Sequence, residues 1–220
     1  MKKFKALLVV ACALLLVAAS VFGTMAYLTS TDTVTNTFTV GKVKITLDEA
    51  QVGTDGKALT GNNAARVKTN SYKLMPGHKY DKDPVVTVKA GSEESYVRQI
   101  VTVTFGKALA ETQLATKLDD IFTGYSQKWV RNGAPVVKTE GEGDNEHTVI
   151  TYEYRYNTTV SAPESDKKLE ALFTNIKVPE TWTNEDLAAF GNININIVAH
   201  AIQADGFGSA GKAWEAFDKK

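Results

Sequence analysis

From Thr33 onward, β-branched and aromatic side chains recur at every second position in short runs separated by clusters of Gly, Pro, Asn and Asp. Period two is the spacing of a strand, whose successive side chains point to opposite faces, and a helix cannot gather residues so spaced on one side. Val43, Ile45 and Leu47 point one way while Lys42, Lys44 and Thr46 point the other. In the run from Tyr96, Val97, Val101, Val103 and Phe105 share a face opposite Arg98, Thr102 and Thr104. Ile150, Tyr152, Tyr154 and Tyr156 align in a third run. Ile193, Ile195 and Ile197 open a fourth, which then turns apolar on both faces at Val198 to Ile202 and is expected to be central in its sheet. About eight or nine such candidates and no internal repeat predict an all-β chain folded as one β-sandwich. An apolar content of 43% is enough to build its core.

Between these runs the spacing names the connections. Residues 51–70 are polar and glycine-rich and read as a long loop. Leu74-Met-Pro-Gly77 predicts a type II turn, with proline fixing φ and glycine supplying its positive value. Pro84 suits the start or the edge of a strand, because it cannot donate to a ladder. Leu109, Leu114, Leu118, Ile121 and Phe122 have helical spacing and predict an inserted helix over 109–122. Asn132-Gly133 between Lys128–Val130 and Val136–Lys138 predicts a tight hairpin, and Gly141–Asn145 a second turn. Thr183 with Asp186 has the spacing of a capping box, and Ser209–Phe217 reads as a short closing helix.

The first 26 residues differ in kind from this body. Lys2, Lys3 and Lys5 precede an apolar run, Ala6 to Phe22, that ends in small residues. Basic flank, apolar core and small-residue exit together define a secretory signal peptide. Thr24-Met25-Ala26 places small residues at the third and first positions before a cut between Ala26 and Tyr27. The mature chain is then residues 27–220, and contact with the membrane comes only through the uncleaved signal. Val9-Val10-Ala11-Cys12 spells a lipobox, but the apolar run continues well past Cys12, which a lipidated cysteine would end. Cys12 is the single cysteine, so the mature chain has no thiol for a disulfide, a zinc site or a nucleophile. The 25 basic and 25 acidic residues balance, and removing the three leading lysines leaves the rest slightly acidic. That excludes the positive footprint of a nucleic-acid binder.

Chemistry is sparse. His78, His147 and His200 are the only histidines, none stands in an H-E-x-x-H pattern, and no catalytic residue or metal ligand set is expected among them. Gly206-Phe-Gly208-Ser-Ala-Gly211 matches a dinucleotide fingerprint in letters, but too few residues follow it to complete a βαβ unit, so it reads as a turn. Glu140, Glu142, Asp144 and Glu146 offer the oxygen ligands that calcium prefers, without the spacing of an EF-hand loop. A solvated hairpin loop accounts for them equally, and no cofactor is otherwise expected. Asn157-Thr-Thr159 is a glycosylation sequon. Tyr152, Tyr154 and Tyr156 read as a core or sheet face, with an exposed aromatic platform as the other reading.

Gly23-Thr-Met-Ala-Tyr-Leu-Thr-Ser-Thr-Asp32, then Asn36-Thr-Phe-Thr-Val-Gly41 and Val43-Lys-Ile-Thr-Leu47, resemble the signal junction and first-strand entry of the TasA/camelysin family. Leu74-Met-Pro-Gly77, Lys82-Asp-Pro84 and Tyr96-Val-Arg98 are similar to its following turn and strands. Leu172-Phe173, Val178-Pro179 and Ala199-His-Ala-Ile-Gln-Ala204 with Gly206-Phe207 are similar to its closing section. The resemblance implies a jelly-roll-like β-sandwich exported by a Gram-positive bacterium after cleavage by a SipW-type signal peptidase. It implies residence at the cell surface or in the extracellular matrix, where TasA-like members self-assemble into biofilm fibres; with the signal, the β-rich body and the missing catalytic constellations, a non-catalytic structural protein is expected. Assembly would be by donor-strand exchange, with residues 27–47, and within them Phe38, Val40, Val43, Ile45 and Leu47, as the donated strand. A camelysin-like surface metallopeptidase and a ligand-binding adhesin using the tyrosine strand are the competing expectations.

Overall fold

The alternating runs form strands, and each ends where glycine, proline or a polar cluster stops the ladder. The computed structural model describes residues 42–110 and 121–219. The signal segment, the Ala26–Tyr27 bond, Phe38, Val40 and most of the expected 109–122 helix lie outside them. In chain order the strands are β1 (Ile45–Ala50), β2 (Arg66–Val67), β3 (Lys79–Asp81), β4 (Val85–Val88), β5 (Ser92–Thr104), β6 (Phe122–Thr123) and β7 (Trp129–Arg131). There follow β8 (Val136–Glu140), β9 (His147–Tyr156), β10 (Val160–Ala162), β11 (Lys167–Lys168) and β12 (Asn175–Lys177), then helix α1 (Asn184–Phe190), β13 (Asn194–Gln203) and helix α2 (Ala210–Asp218).

All pairings are antiparallel, and the described fold is mostly β with short helices. One sheet runs β11-β4-β1-β2 and a small one β3-β12-β6. The largest is built on β5, which pairs β13 along one side and β9 and β10 along the other. The inward faces meet in one apolar cluster that includes Val86 and Val88 of β4, Val97, Val101 and Val103 of β5, Ile150, Tyr152 and Tyr154 of β9, and Phe173. Burying each valine fully contributes about 1.5–3 kcal/mol. Ile45 and Leu47 pack against this cluster opposite Val88 and Val86, so the alternation in β1 sets its inner face.

Three connections match their spacing. The His78 amide donates to the Met75 carbonyl at 3.2 Å across Pro76-Gly77, and Gly77 has φ 75°. Pro84 sits immediately before β4. Thr183 and Asp186 exchange both capping hydrogen bonds.

Four expectations are corrected. β13 is an edge strand: among the described residues it pairs β5 alone. Its doubly apolar stretch is covered on the inner face by the core and on the outer face by α2 only around His200, where Phe217 packs, while Val198 stays 41% exposed; apolar content on both faces is distinct from a paired edge. Asn132-Gly133 does not turn a hairpin, because β7 and β8 lie in succession along the same side of β9. Residues 132–135 bulge between them, with the Asn132 amide on the Glu153 carbonyl at 2.8 Å and Pro135 without a proton to donate. The expected helix over 109–122 does not reach its end, since Ile121 is buried in a turn and Phe122 begins β6. The 51–70 loop holds β2 and a Val52–Ala58 bridge. Among the described residues no helix is long and apolar enough to cross a membrane.

Candidate functional site

Because β13 hydrogen-bonds to β5 on one side, its other edge faces a space without pairing to any strand among the described residues. That space is a groove of about 630 Å³ between β13 on one wall and β1 with residues 67–72 on the other. Ile193, Ile195 and Ile197 line it at strand spacing, Leu47 meets them from β1, and Ile176 contributes below. On the opposite face of β13, Asn194 and Asn196 are exposed. The wall from β1 is tied by side chains: Lys68 Nζ donates to the Leu47 carbonyl at 2.5 Å, and Arg66 bridges Asp48 and Asp83 at 2.7 and 2.5 Å.

One end of the groove is charged. The inner-face alternation of β1 continues from Ile45 and Leu47 to Glu49, which puts a carboxylate where a hydrophobe is expected. Glu49 Oε2 accepts from Lys82 Nζ at 2.5 Å, and Glu49 Oε1 accepts from Asn70 Nδ2 at 2.9 Å. The Lys82 and Glu49 side chains are only 7% and 9% exposed. The same Asn70 amide donates to the Ala50 carbonyl at 2.8 Å, while its Oδ1 accepts from the Val52 backbone N–H at 3.0 Å. Tyr72 closes the site, with its ring centre 5.7 Å from Lys82 Nζ and its hydroxyl on the Asp81 carbonyl at 3.0 Å. Burial, then the charge of Glu49, holds that phenol well above its ordinary range.

A second cluster joins the outer face of β5 to α2. Arg98 donates twice to Asp218, at 2.9 and 2.5 Å, and from Nε to His200 Nδ1 at 3.2 Å. Its guanidinium lies 4.4 Å from the Trp214 ring centre and 5.0 Å from that of Phe217. Hydrogen bonding from Arg98 holds the Asp218 carboxyl below its usual range. Burial, then the Arg98 charge, lowers His200.

Of the residues singled out from the sequence, Leu47 lines the groove and His200 joins the Arg98 cluster, and the others that are described lie elsewhere. His78 is held by the Pro76 carbonyl at 3.0 Å, and His147 by the Asn145 carbonyl at 3.1 Å with Glu140 4.0 Å away. Among the described residues no group of three or more His, Cys, Asp or Glu is gathered as metal ligands would be, and Glu140, Glu142, Asp144 and Glu146 are exposed where β8 turns into β9. Tyr152 and Tyr154 are buried and Tyr156 packs on Trp129 at 4.9 Å, which removes the exposed platform and makes this strand a core face. Gly206–Gly211 leads into α2, whose first turn is capped by Ser209. Ile45 and Leu47 are paired inside β1, and Val43 lies two residues before it between backbone bonds accepted by Lys42 and Lys44, which restricts any donated segment to residues before Lys42. Glu49, Asn70 and Lys82 were not anticipated. The signal for them was Glu49 itself, a carboxylate in register with a core-facing row. Comparison with family models, with curated proteins and with solved structures gives no match.

Proposed function

We propose that this chain is a secreted, non-catalytic surface or matrix protein of the TasA/camelysin kind, from a Gram-positive bacterium. Its groove receives the N-terminal segment of another copy, residues 27–41, after a SipW-type signal peptidase cuts between Ala26 and Tyr27. The observation that carries this reading is the one-sided edge of β13 above a row of isoleucines. An extended segment can hydrogen-bond to that edge while alternate side chains fill the apolar groove. Val34, Phe38 and Val40 have the required spacing, with threonines on the opposite face. Fifteen residues span about 50 Å extended, against about 23 Å for the seven groove-lining residues 193–199, which leaves a tether between copies. The tether starts beside the far end of β13, since the Lys42 carbonyl accepts from Glu93 and the adjacent Glu94 carbonyl accepts from Ala204. Added strands of this kind would complete a jelly-roll order and link copies head to tail, an open, fibre-forming arrangement.

Electron microscopy and sedimentation of residues 27–220, beside a variant lacking 27–40, test it. Fibres or a concentration-dependent series are expected from the first and a monomer from the second, with Ile195→Asp behaving like the deletion. A 27–220 protein that stays monomeric at high concentration and mildly acid pH, unchanged by the deletion, would overturn donor-strand assembly.

A further inference from the structure

The charged end of the groove has the parts of a reaction that needs no substrate from outside. A primary amine and a carboxamide sit on the two oxygens of one carboxylate, Lys82 Nζ at 2.5 Å and Asn70 Nδ2 at 2.9 Å from Glu49. The carboxamide is oriented by donor logic: the Val52 N–H can only give a proton, so Oδ1 faces it at 3.0 Å and Nδ2 faces the Ala50 carbonyl. That backbone N–H is placed where negative charge would develop if the Asn70 carbonyl were attacked. The site is nearly dry, with Lys82 6% exposed and the Tyr72 ring beside it.

We propose that Lys82 and Asn70 join in an intramolecular isopeptide bond, with Glu49 as the acid–base catalyst. The Lys82 ammonium passes a proton to Glu49 Oε2, and the neutral Nζ attacks Asn70 Cγ, forming the new C–N bond. The Val52 N–H holds the oxyanion. Glu49 hands its proton to Nδ2 and takes the second proton from Nζ, the Cγ–Nδ2 bond breaks, and ammonia leaves with the proton Glu49 then holds. Nothing is oxidised or reduced and no co-reactant is consumed. The product ties the segment that walls the groove to the base of β4. It also gives a chain without thiols beyond Cys12 the covalent staple that disulfides supply elsewhere. This inference is independent of what the groove receives.

Intact-mass measurement at high resolution on the folded chain reads the outcome directly. The expected mass is that of the sequence less one ammonia, and a tryptic digest should yield one branched peptide holding both Asn70 and Lys82. Asn70→Asp should lose one water instead, and Lys82→Arg and Glu49→Gln should each keep the full sequence mass while remaining folded by circular dichroism. A folded wild-type chain at its full sequence mass would overturn the proposal without recourse to any variant. So would an ammonia loss that maps to another asparagine, or one that persists in Glu49→Gln.

Discussion

Arg98 and Lys82 are both almost fully buried cations, and each meets a carboxylate oxygen at 2.5 Å. Their surroundings give them different work. Arg98 spends its fork on Asp218, its Nε on His200 and its plane on Trp214 and Phe217, and a guanidinium cannot give up its proton in a protein. It is a fastening between β5 and α2. Lys82 has a single ammonium whose partner, Glu49, can take a proton from it and is already bonded to the carboxamide it would attack. The same type of contact is a lock where the cation is inert and a reactive site where it is a masked nucleophile. Their carboxylates differ as well: Glu49 is 9% exposed and Asp218 55%, so removing the cation strands a buried charge in one case and an already solvated one in the other.

The largest effect expected from breaking this contrast is at Glu49. Glu49→Leu leaves the Lys82 ammonium in a buried site without its carboxylate, and a cost of about 3–5 kcal/mol follows from stranding such a charge. The double variant Glu49→Leu/Lys82→Met should recover most of that loss, because an apolar pair of similar volume replaces the ions. Both variants lack the proposed cross-link, so urea midpoints for the two compare the ion pair alone. A double variant no more stable than the single one would mean that the cost lies in packing.

At Arg98 the expected loss is smaller. Arg98→Lys keeps the charge but gives up the second bond to Asp218 and the bond to His200, which should cost about 1–2 kcal/mol after allowing for the exposure of Asp218. Hydrogen exchange should report it locally, with protection falling in α2 and unchanged in β4. Equal loosening of β4 would show that the two clusters are coupled.

How far the sequence announced these regions follows from what each signal reports. Alternation placed β5, β9 and β13 and their inner faces, because period two is a direct image of the pleat. It could not place the edges, since hydrophobicity reports which faces are covered and says nothing about which backbone edge is paired; β13 therefore read as central. Asn132-Gly133 carried a local turn preference that was overridden when β7 found pairing along β9 beyond the end of β8. The Lys82–Glu49–Asn70 site was half legible. Glu49 falls in register with Ile45 and Leu47, but its partners come from positions 70 and 82, and only the fold brings them to it. The Arg98 cluster was illegible for the same reason, as Asp218 is 120 positions away in sequence.

The smallest effect should appear on acidification, and its sign separates the clusters again. His200 accepts from Arg98 Nε through Nδ1, which requires that nitrogen to be unprotonated, and burial and the Arg98 charge both lower its affinity for a proton. Its folded pKa therefore lies below its unfolded value. As pH falls through about 6.5, the ordinary range of histidine, the unfolded chain takes up a proton that the folded chain refuses, so stability declines. Asp218, also lowered, contributes stability above its unfolded range near pH 4 that is lost as pH falls through the folded value, so it adds nothing to the slope near neutrality. Urea midpoints between about pH 7.5 and 5 should thus drift downward in the native chain and flatten in His200→Gln, whose amide can still accept from Arg98. The Lys82 site has no histidine among its contacts, so Glu49→Leu/Lys82→Met should keep the native slope. A slope that survives His200→Gln would assign it to another group and leave the α2 fastening insensitive to pH in this range.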